Sequence, residues 1–236
     1  MPSNPIHILC LHGAGSNAAK LEKSMNTLIQ KGRKSNIHFH FLESDFKNDR
    51  GPDLKQWWSF PKEGDIFNIP NYDTGIESLM KVCERWNRGT EEQKEFVPFD
   101  GLFGFSQGSA VSQLFLFECL KEKSRIHQLP KFFILCGTFS IFPEQFRYDP
   151  VKNGLISLCP VLGFNGDLDP LVSPERSEEC LKSIIDPSQL TLKRHPGKHY
   201  VPSRSNSVEQ LIEFILSLFK SEKSSEAEAQ FVTSRE

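Results

Sequence analysis

The sequence predicts an α/β fold: a single domain in which a mostly parallel central sheet is flanked by helices. Short apolar runs alternate along the chain with stretches of helical periodicity, an order typical of parallel sheets. The chain has 236 residues, of which 38% are hydrophobic and 25% charged. This size suits one domain with a substantial core, and the average composition excludes wholesale disorder and fibrous repeats.

The first half of the chain predicts two strands, a helix and a long irregular connection. An apolar run at Ile6–Leu11 is the first strand, and apolar residues at helical spacing predict a helix over residues 17–31, with Gly32 as its stop. Alternating apolar residues at 37–41 form the second strand. Residues 43–73 lack periodicity and carry two adjacent tryptophans, so a packed functional covering is expected there.

The second half repeats the alternation of helix and strand. A capping box formed by Thr74 and Glu77 opens a helix. The strand at residues 99–105 leads into an apolar helix that continues to about Lys121. The remaining strands are expected at residues 131–136, 160–164 and 190–195, and the remaining helices begin at Ser173 and Ser207.

Residues 1–220 form the expected domain, and residues 221–236 form a charged C-terminal tail. The tail is rich in Ser, Glu and Lys and shows no hydrophobic periodicity. Such a segment buries too little apolar surface to offset the entropy cost of ordering, so we expect it to be disordered.

Charge and cysteine usage narrow the class of protein. Lys plus Arg is 28 and Asp plus Glu is 30, a net charge of −2, so no basic excess points to nucleic acid or an anionic membrane. The 6 cysteines are scattered singly, which predicts buried thiols rather than disulfides or a zinc site. No secretory leader and no apolar run long enough to span a bilayer are evident. We therefore expect a cytoplasmic protein with no membrane span and no nucleic acid partner.

A strand-to-helix turn makes Ser106 the candidate nucleophile. Residues 104–108 match the G-x-S-x-G pattern, with a predicted buried strand before it and a helix after it. The turn is so tight that larger side chains two residues on either side of the serine would collide, and its strained backbone exposes the hydroxyl at the carboxyl edge of the sheet. This context disfavours the alternative of a serine helix cap flanked by chance glycines.

A serine hydroxyl needs a general base near neutral pH, and the base needs an acid that fixes its tautomer. In the chain order of α/β hydrolases both follow the serine. Five of the 7 histidines lie in strands, upstream of the serine or at a helix end: His7, His12, His38, His40 and His127. His199, in a glycine-containing loop before the last helix, is preferred over His195, which ends a strand and precedes proline.

Two carboxylates follow the strand predicted at residues 160–164. Asp167 and Asp169 both lie where the acid is expected, and spacing alone does not decide between them. The surrounding Asn, Gly and Pro residues also favour a turn, and such a turn would hold either carboxylate at the sheet edge.

Two backbone N–H groups are the expected donors to a tetrahedral oxyanion. One belongs to Gln107, the residue after the nucleophile, and the other to Ala14, in the loop after the first strand. We expect the loop and the serine turn to lie side by side.

The same loop also fits a dinucleotide-binding fingerprint. Residues 13–18 read Gly-Ala-Gly-Ser-Asn-Ala between a strand and a helix, and Glu43 closes the second strand where a ribose-binding carboxylate would lie. This interpretation leaves the serine turn, the aspartate turn and the histidine loop unexplained, so it is the less favoured alternative.

Several motifs, taken together in their order, resemble a known family. They are Leu-His-Gly-Ala-Gly at residues 11–15, the pair Trp57 and Trp58, Phe-Asp-Gly-Leu-Phe-Gly-Phe-Ser-Gln-Gly at 99–108, Gly-x-x-Asp-x-x-Val at 166–172 and Gly-x-His-x-x-Pro at 197–202. Over residues 6–220 the chain resembles the fungal and animal family of serine hydrolases, which is related to the acyl-protein thioesterase and carboxylesterase branch.

The resemblance implies an α/β-hydrolase fold and a Ser-His-Asp triad. In the family pattern Ser106 is the nucleophile, His199 is the general base and then acid, and Asp169 rather than Asp167 orients the imidazole. Residues 47–73 depart from the family pattern apart from their tryptophan pair, so they say little about the substrate.

The expected function is hydrolysis of carboxylic esters of apolar acyl chains through an acyl-enzyme, with no metal and no organic cofactor. The 20 phenylalanines and the pair Trp57 and Trp58 suggest an apolar acyl slot, in which the tryptophans bind substrate. The partner is then a small-molecule acyl ester or thioester. The alternative is a thioesterase that releases acyl or polyketide chains from coenzyme A or an acyl carrier protein. A non-catalytic binding module is less favoured.

Overall fold

A parallel β-sheet lies at the centre of the protein, and helices cover both of its faces. The computed structural model describes residues 4–60, 72–90, 96–140 and 150–220. In chain order the elements are β1 (Ile6–Leu11), α1 (Ala18–Ser24), α2 (Asn26–Arg33), β2 (Ile37–Leu42), β3 (Phe46–Asn48), β4 (Gly51–Gln56), α3 (Tyr72–Arg88), β5 (Gly101–Phe105), α4 (Gln107–Cys119), β6 (Phe132–Cys136), α5 (Pro150–Asn153), β7 (Val161–Gly166), α6 (Pro174–Ile184), β8 (Leu190–His195) and α7 (Ser205–Leu218).

The strand order places a switch point beside β1. Within the described residues the sheet has 6 strands in the order β2-β1-β5-β6-β7-β8, and each neighbouring pair is parallel. The chain runs from β1 out to β2 and returns to β5 on the opposite side of β1. Ligands of open parallel sheets bind at the carboxyl ends of the strands beside such a reversal. The loops after β1 and β5 meet there.

Strand residues are buried on both faces of the sheet. In β1, Leu9 and Leu11 pack into the core cluster formed with α3, α4 and α6, whereas Ile8 and Cys10 pack into the cluster formed with α1, α2 and α7. Burial on both sides explains why these strands read as continuous apolar runs. The predicted class, a mostly parallel sheet flanked by helices, is confirmed.

The first helical region is two helices and not the single helix predicted over residues 17–31. The break lies at Met25, which has φ −89° and ψ 5°. The prediction that Gly32 stops the helix is wrong, because this residue lies inside α2. A Cβ at Gly32 would come within 2.7 Å of the Phe39 ring. The glycine therefore allows α2 to pack closely on β2, a need that the sequence pattern does not reveal.

The stretch predicted as irregular, residues 43–73, contains a hairpin. β3 and β4 pair antiparallel, with a shift in register between Lys47 and Asn48. The hairpin escapes prediction because β4 carries a proline near its start and lacks regular alternation. Residues 61–71 of this stretch lie outside the described residues.

Among the predicted boundaries that differ from the structure are those of helices α3 and α7 and of strand β7. Helix α3 begins at Tyr72, before the predicted capping box at Thr74. Helix α7 begins at Ser205 rather than after Ser207. Strand β7 continues to Gly166, so its last residues, predicted as a turn, are part of the sheet. Polar residues at the end of an element are compatible with a place inside the element or in the adjoining loop, so the sequence does not define these limits.

All six cysteines lie in the described ranges, and each is free and buried. Burial raises the pKa of Cys83, Cys159 and Cys180 to about 12, so these thiols behave as small apolar side chains. None of the helices in the described ranges combines the length and the apolar character that a bilayer-spanning segment requires. The tail predicted at residues 221–236 lies outside the described residues.

Candidate active site

Ser106 lies at the sharp turn between β5 and α4. Its backbone has φ 54° and ψ −119°, a positive-φ conformation that a non-glycine residue keeps only where its surroundings hold it. A Cβ at Gly104 would lie 2.5 Å from Ser109 Cα, and one at Gly108 would lie 2.3 Å from the Leu11 carbonyl oxygen. The two glycines of the motif therefore serve close backbone packing around the serine.

Ser106, His199 and Asp169 form a continuous hydrogen-bonded chain. His199 Nε2 lies 2.8 Å from Ser106 Oγ, and His199 Nδ1 lies 2.6 Å from Asp169 Oδ2. The three residues come from the loops after β5, β8 and β7, at the carboxyl edge of the sheet. A carboxylate at Nδ1 keeps the proton on that nitrogen, so Nε2 is able to accept the serine proton.

Backbone N–H groups hold the Asp169 carboxylate in place. Its Oδ1 accepts hydrogen bonds from the N–H of Leu171 at 2.8 Å and of Val172 at 2.9 Å. Only 2% of the Asp169 side chain is exposed. Asp167, which spacing left equally open, has a side chain 44% exposed that pairs with a surface arginine at 3.9 Å. The structure thus brings Asp169, and not Asp167, to His199.

Close packing positions the His199 imidazole. The Phe105 ring lies 5.0 Å from it, centroid to centroid. Gly137 has φ 59°, and a Cβ there would come within 3.0 Å of His199 Cε1. A Cβ at Gly166 would lie 2.4 Å from the Lys198 carbonyl oxygen. Glycine at both positions lets the histidine loop close against the sheet edge.

His195, the other candidate base, lies in the core and not beside Ser106. It is 4% exposed. Its ring stacks on Phe164 at 5.8 Å and packs against Tyr200 at 5.1 Å. Burial lowers the pKa of His195, although nearby carboxylates oppose the shift. The residue is therefore a neutral packing element near neutral pH.

We expect His195→Phe to flatten the pH dependence of folding stability. The pKa of His195 lies below its ordinary value of 6.5 in the folded protein, so the unfolded state takes up the proton more readily. The contribution of His195 to the free energy of unfolding is therefore kept above about pH 6.5 and declines as the pH falls below it. Urea unfolding at about pH 7.5 and 5.5 measures the difference. An equal decline in both proteins would contradict the prediction.

The loop after β1 packs directly against Ser106. A Cβ on Gly13 would lie 3.1 Å from Ser106 Cβ. The backbone N–H groups of Ala14 and Gln107 are the predicted oxyanion donors, and among the described residues neither donates to a protein acceptor. Gln107 is also the first residue of α4, where the helix dipole favours negative charge. Both N–H groups are thus available to a ligand at the serine.

Both tryptophans predicted to bind substrate are buried in the core. Trp57 and Trp58 are 0% exposed and belong to the cluster packed with α3 and α4. The structure does not bring either ring to an open surface beside Ser106, because the chain after β4 folds them inward. Their contribution to substrate binding stays a prediction.

The side chain of Gln107 is a contributor that sequence reasoning missed. Its Oε1 accepts a hydrogen bond from the Trp57 N–H at 2.7 Å, and its Nε2 donates to the Trp58 carbonyl at 2.8 Å. The side chain is 0% exposed. The signal in the sequence is a glutamine directly after the serine, in the first turn of a helix in which every residue is buried. These two hydrogen bonds connect the tryptophan segment to the turn that carries Ser106.

The glycine-rich segment at residues 13–18 is where a cofactor phosphate would bind in a dinucleotide fold. Here Glu43 Oε2 accepts a hydrogen bond from the Ala18 N–H at 2.6 Å, and Asn17 Oδ1 accepts one from the Lys20 N–H at 2.7 Å. A carboxylate thus occupies the helix N-terminus that would receive a pyrophosphate. Nor do the described residues contain a cluster of histidine, cysteine and carboxylate side chains arranged to hold a metal ion. This geometry disfavours the dinucleotide alternative.

The sequence matches the family model described as Serine hydrolase (FSH1) over residues 1–211. It is 24% identical over 236 residues to Esterase OVCA2 of Danio rerio, covering 91% of this chain and 98% of that protein. It is 30% identical over 163 residues to Esterase OVCA2 of Homo sapiens, covering 67% of this chain and 66% of that protein. The aligned region thus spans nearly all of the zebrafish protein and 66% of the human one.

Solved structures share the architecture at low sequence identity. The crystal structure of esterase PE8 superposes with a TM-score of 0.70 at 19% identity, covering 91% of this chain and 93% of that chain. Zea mays acyl-protein thioesterase 2 superposes with a TM-score of 0.59 at 14% identity, covering 93% of this chain and 96% of that chain. At such identities the likeness concerns the fold, and the predicted α/β-hydrolase fold is confirmed.

Proposed function

Because the chain belongs to the FSH1 family of serine hydrolases, we propose that it hydrolyses carboxylic esters of apolar acyl chains through an acyl-enzyme on Ser106. The observation that carries the proposal is the hydrogen-bonded chain from Asp169 through His199 to Ser106, with contacts of 2.6 and 2.8 Å. Relatives named as esterases support the reaction class. The buried Asp169 and the strained serine turn support the assignment of roles.

His199 serves as base and then as acid in the first half-reaction. Ser106 Oγ attacks the acyl carbonyl carbon while its proton passes to His199 Nε2, and Asp169 stabilises the imidazolium that forms. The imidazolium then protonates the leaving alkoxide, and the alcohol departs while the acyl group stays on Oγ. In the second half-reaction water takes the place of the alcohol, so the carboxylic acid leaves and the serine is restored.

The N–H groups of Ala14 and Gln107 donate hydrogen bonds to the negatively charged oxygen of the tetrahedral intermediates. Both belong to backbone segments held against Ser106, so they need little reorganisation when the charge develops. Removing one donor of this kind typically costs about 10²- to 10³-fold in kcat. Each of these donors is therefore expected to contribute about 2.7–4 kcal/mol to transition-state stabilisation.

Exposed side chains on the loops that carry Asp169 and His199 support the choice of an apolar acyl group: Leu168, Leu171 and Tyr200. These side chains are 65%, 57% and 39% exposed. The two leucines flank Asp169 in sequence and Tyr200 follows His199, so all three lie on the loops that carry the candidate acid and base. Burial of acyl methylenes is worth about 0.8 kcal/mol each, which favours longer chains over acetate.

The thioesterase alternative uses the same three residues, so the nature of the leaving group must be tested directly. An oxygen ester and a thioester with the same octanoyl group separate the two activities. A kcat/KM that is higher for the thioester would favour release of acyl chains from coenzyme A or a carrier protein. A higher value for the oxygen ester would favour the esterase.

We expect a fluorophosphonate probe to form one adduct with the wild-type protein, on Ser106, and none with Ser106→Ala. The probe reacts with serines that an adjacent base activates, and its phosphonyl oxygen occupies the oxyanion site. Intact-mass spectrometry counts the adducts, and peptide mapping locates the modified residue. The result would justify a series of ester substrates of increasing acyl length.

His195→Phe is the matched control for this labelling, because it removes a histidine near the site that does not contact Ser106. It should label at the wild-type rate. Folded wild-type protein that forms no adduct would contradict the proposed function and would favour a binding module instead. An adduct at another residue would contradict the assignment of Ser106.

A further inference from the structure

His12 is buried in the loop that precedes Ala14. It is 0% exposed, and its ring stacks on Trp57 with centroids 5.2 Å apart. Its Nδ1 lies 2.8 Å from the Gly13 carbonyl oxygen, and the Ser44 N–H donates to its Nε2 at 3.2 Å. The side chain precedes the nucleophile in the chain and takes no part in the triad, so its burial and its two contacts need another explanation.

The two contacts define the protonation of the imidazole. The backbone N–H of Ser44 donates, so Nε2 is the acceptor, and the Gly13 carbonyl accepts, so the proton is on Nδ1. Burial lowers the pKa of His12 and two nearby lysines act in the same direction, while the bond to Gly13 and the Glu43 carboxylate oppose them. A neutral imidazole with the proton on Nδ1 agrees with the two hydrogen bonds and with the lowered pKa.

The Gly13 carbonyl and the Ala14 N–H belong to the same peptide unit. In a planar trans peptide these two groups point in opposite directions. Donation from His12 Nδ1–H to the Gly13 oxygen therefore fixes the direction of the Ala14 N–H, which points away from the buried imidazole. The close approach of Gly13 to Ser106, 3.1 Å for a Cβ placed on the glycine, puts this peptide unit beside the nucleophile.

Trp57 connects this loop to the second donor. Its Nε1–H donates to the His12 carbonyl at 2.7 Å, and its backbone N–H donates to Gln107 Oε1 at 2.7 Å. His12, Trp57 and Gln107 are each 0% exposed. One buried hydrogen-bond network therefore spans the segments that supply both predicted oxyanion donors, Ala14 and Gln107.

We propose that His12 is a positioning residue for the oxyanion hole, whose neutral imidazole holds the Gly13–Ala14 peptide unit so that the Ala14 N–H faces the acyl carbonyl oxygen. The inference rests on the proposed esterase function and deepens it, since it gives a histidine outside the triad a part in stabilising the transition state. It also accounts for the buried Trp57, whose Nε1–H donates to the His12 carbonyl and so stabilises the same loop.

Two substitutions of His12 separate its two hydrogen bonds. His12→Asn places an amide N–H where Nδ1 lies and can still donate to Gly13, whereas His12→Gln places its amide where Nε2 lies and keeps only the contact with Ser44. We expect His12→Gln to lower kcat for an oxygen ester by about 10- to 30-fold with KM little changed, and His12→Asn to recover most of the loss. The effect is smaller than the roughly 10²- to 10³-fold cost of deleting a donor, because the Ala14 N–H remains but is no longer held.

The ratio of kcat/KM for an oxygen ester to that for the matching thionoester reports on the oxyanion hole itself. Sulfur accepts hydrogen bonds from N–H groups poorly, so a well-ordered hole favours the oxygen ester. We expect this ratio to be lower for His12→Gln than for the wild type and to return close to the wild-type value in His12→Asn. A loss of folded protein would lower both rates together and leave the ratio unchanged.

Equal losses in the two variants with an unchanged substrate ratio would overturn the positioning role. Trp57→Phe supplies a second variant if His12→Gln fails to fold, because it keeps a buried ring but deletes the donor to the His12 carbonyl. We expect it to lower the ratio of kcat/KM for the oxygen ester to that for the thionoester. An unchanged ratio would overturn the positioning role. Wild-type protein that neither hydrolyses the ester nor reacts with fluorophosphonate would overturn the proposed function, and this inference with it. An active wild type with insensitive variants would overturn this inference alone.

Discussion

Replacing Asp169 with asparagine is expected to lower kcat for ester hydrolysis by about 10⁴-fold. Asp169 Oδ1 accepts from the N–H groups of Leu171 and Val172, so an amide oxygen takes that position and turns its NH₂ group toward His199. That group donates to Nδ1 and forces the imidazole proton onto Nε2. The nitrogen that faces Ser106 at 2.8 Å then has no lone pair with which to accept the serine proton.

Steady-state hydrolysis and the rate of fluorophosphonate labelling measure the effect. Asp167→Asn is the matched control, since it makes the same chemical change two residues away on an exposed side chain, and it should keep wild-type activity. Equal activities of the two variants would contradict the assignment of Asp169. A thermal unfolding curve of each variant separates loss of catalysis from loss of fold.

Residue types and spacing were enough to predict the three residues that meet at the sheet edge, except for the choice of carboxylate. The serine turn carries a recognisable signature, since Gly104 packs against Ser109 of the same segment and Gly108 packs against the Leu11 carbonyl of β1. The choice between Asp167 and Asp169 depends on which carboxylate receives backbone N–H groups and which points to solvent. Those are properties of the folded turn, so within the sequence only the family resemblance favours Asp169.

The buried hydrogen-bond network of His12, Trp57 and Gln107 is not predictable from the sequence, because its contacts join residues far apart in the chain and use backbone atoms. Gln107 binds the main chain of two tryptophans that lie about fifty residues earlier, at 2.7 and 2.8 Å. The sequence shows an aromatic pair in an irregular segment, which suggests a ligand surface. Folding instead turns the pair inward as the anchor of a loop. A buried polar side chain beside the nucleophile is the better indicator of such an anchor.

Replacing Gly137 with alanine is expected to lower kcat/KM by about 10-fold, because it pushes the His199 imidazole out of line. A Cβ there would lie 3.0 Å from His199 Cε1 and 3.9 Å from Asp169 Oδ2. The loop has little freedom to retreat, since Gln113 Nε2 on α4 donates to the Phe139 carbonyl at 2.9 Å. The imidazole must therefore move by a few tenths of an ångström. A displacement of about 1 Å at a reacting group costs on the order of 10²-fold in rate, so the smaller shift is expected to cost about 10-fold.

Gly154→Ala isolates this steric effect from the cost of a left-handed alanine. Gly154 has φ 76°, close to the 59° of Gly137, but a Cβ at Gly154 meets no atom within 4 Å. Both variants should lose about 1–2 kcal/mol of unfolding free energy because alanine is strained in this backbone conformation. Only Gly137→Ala should also show a lower kcat/KM. Measuring kcat/KM and urea unfolding for both variants separates the two effects. If activity followed stability equally in both, His199 would have room to adjust, and the tight fit around the imidazole would not be what positions it.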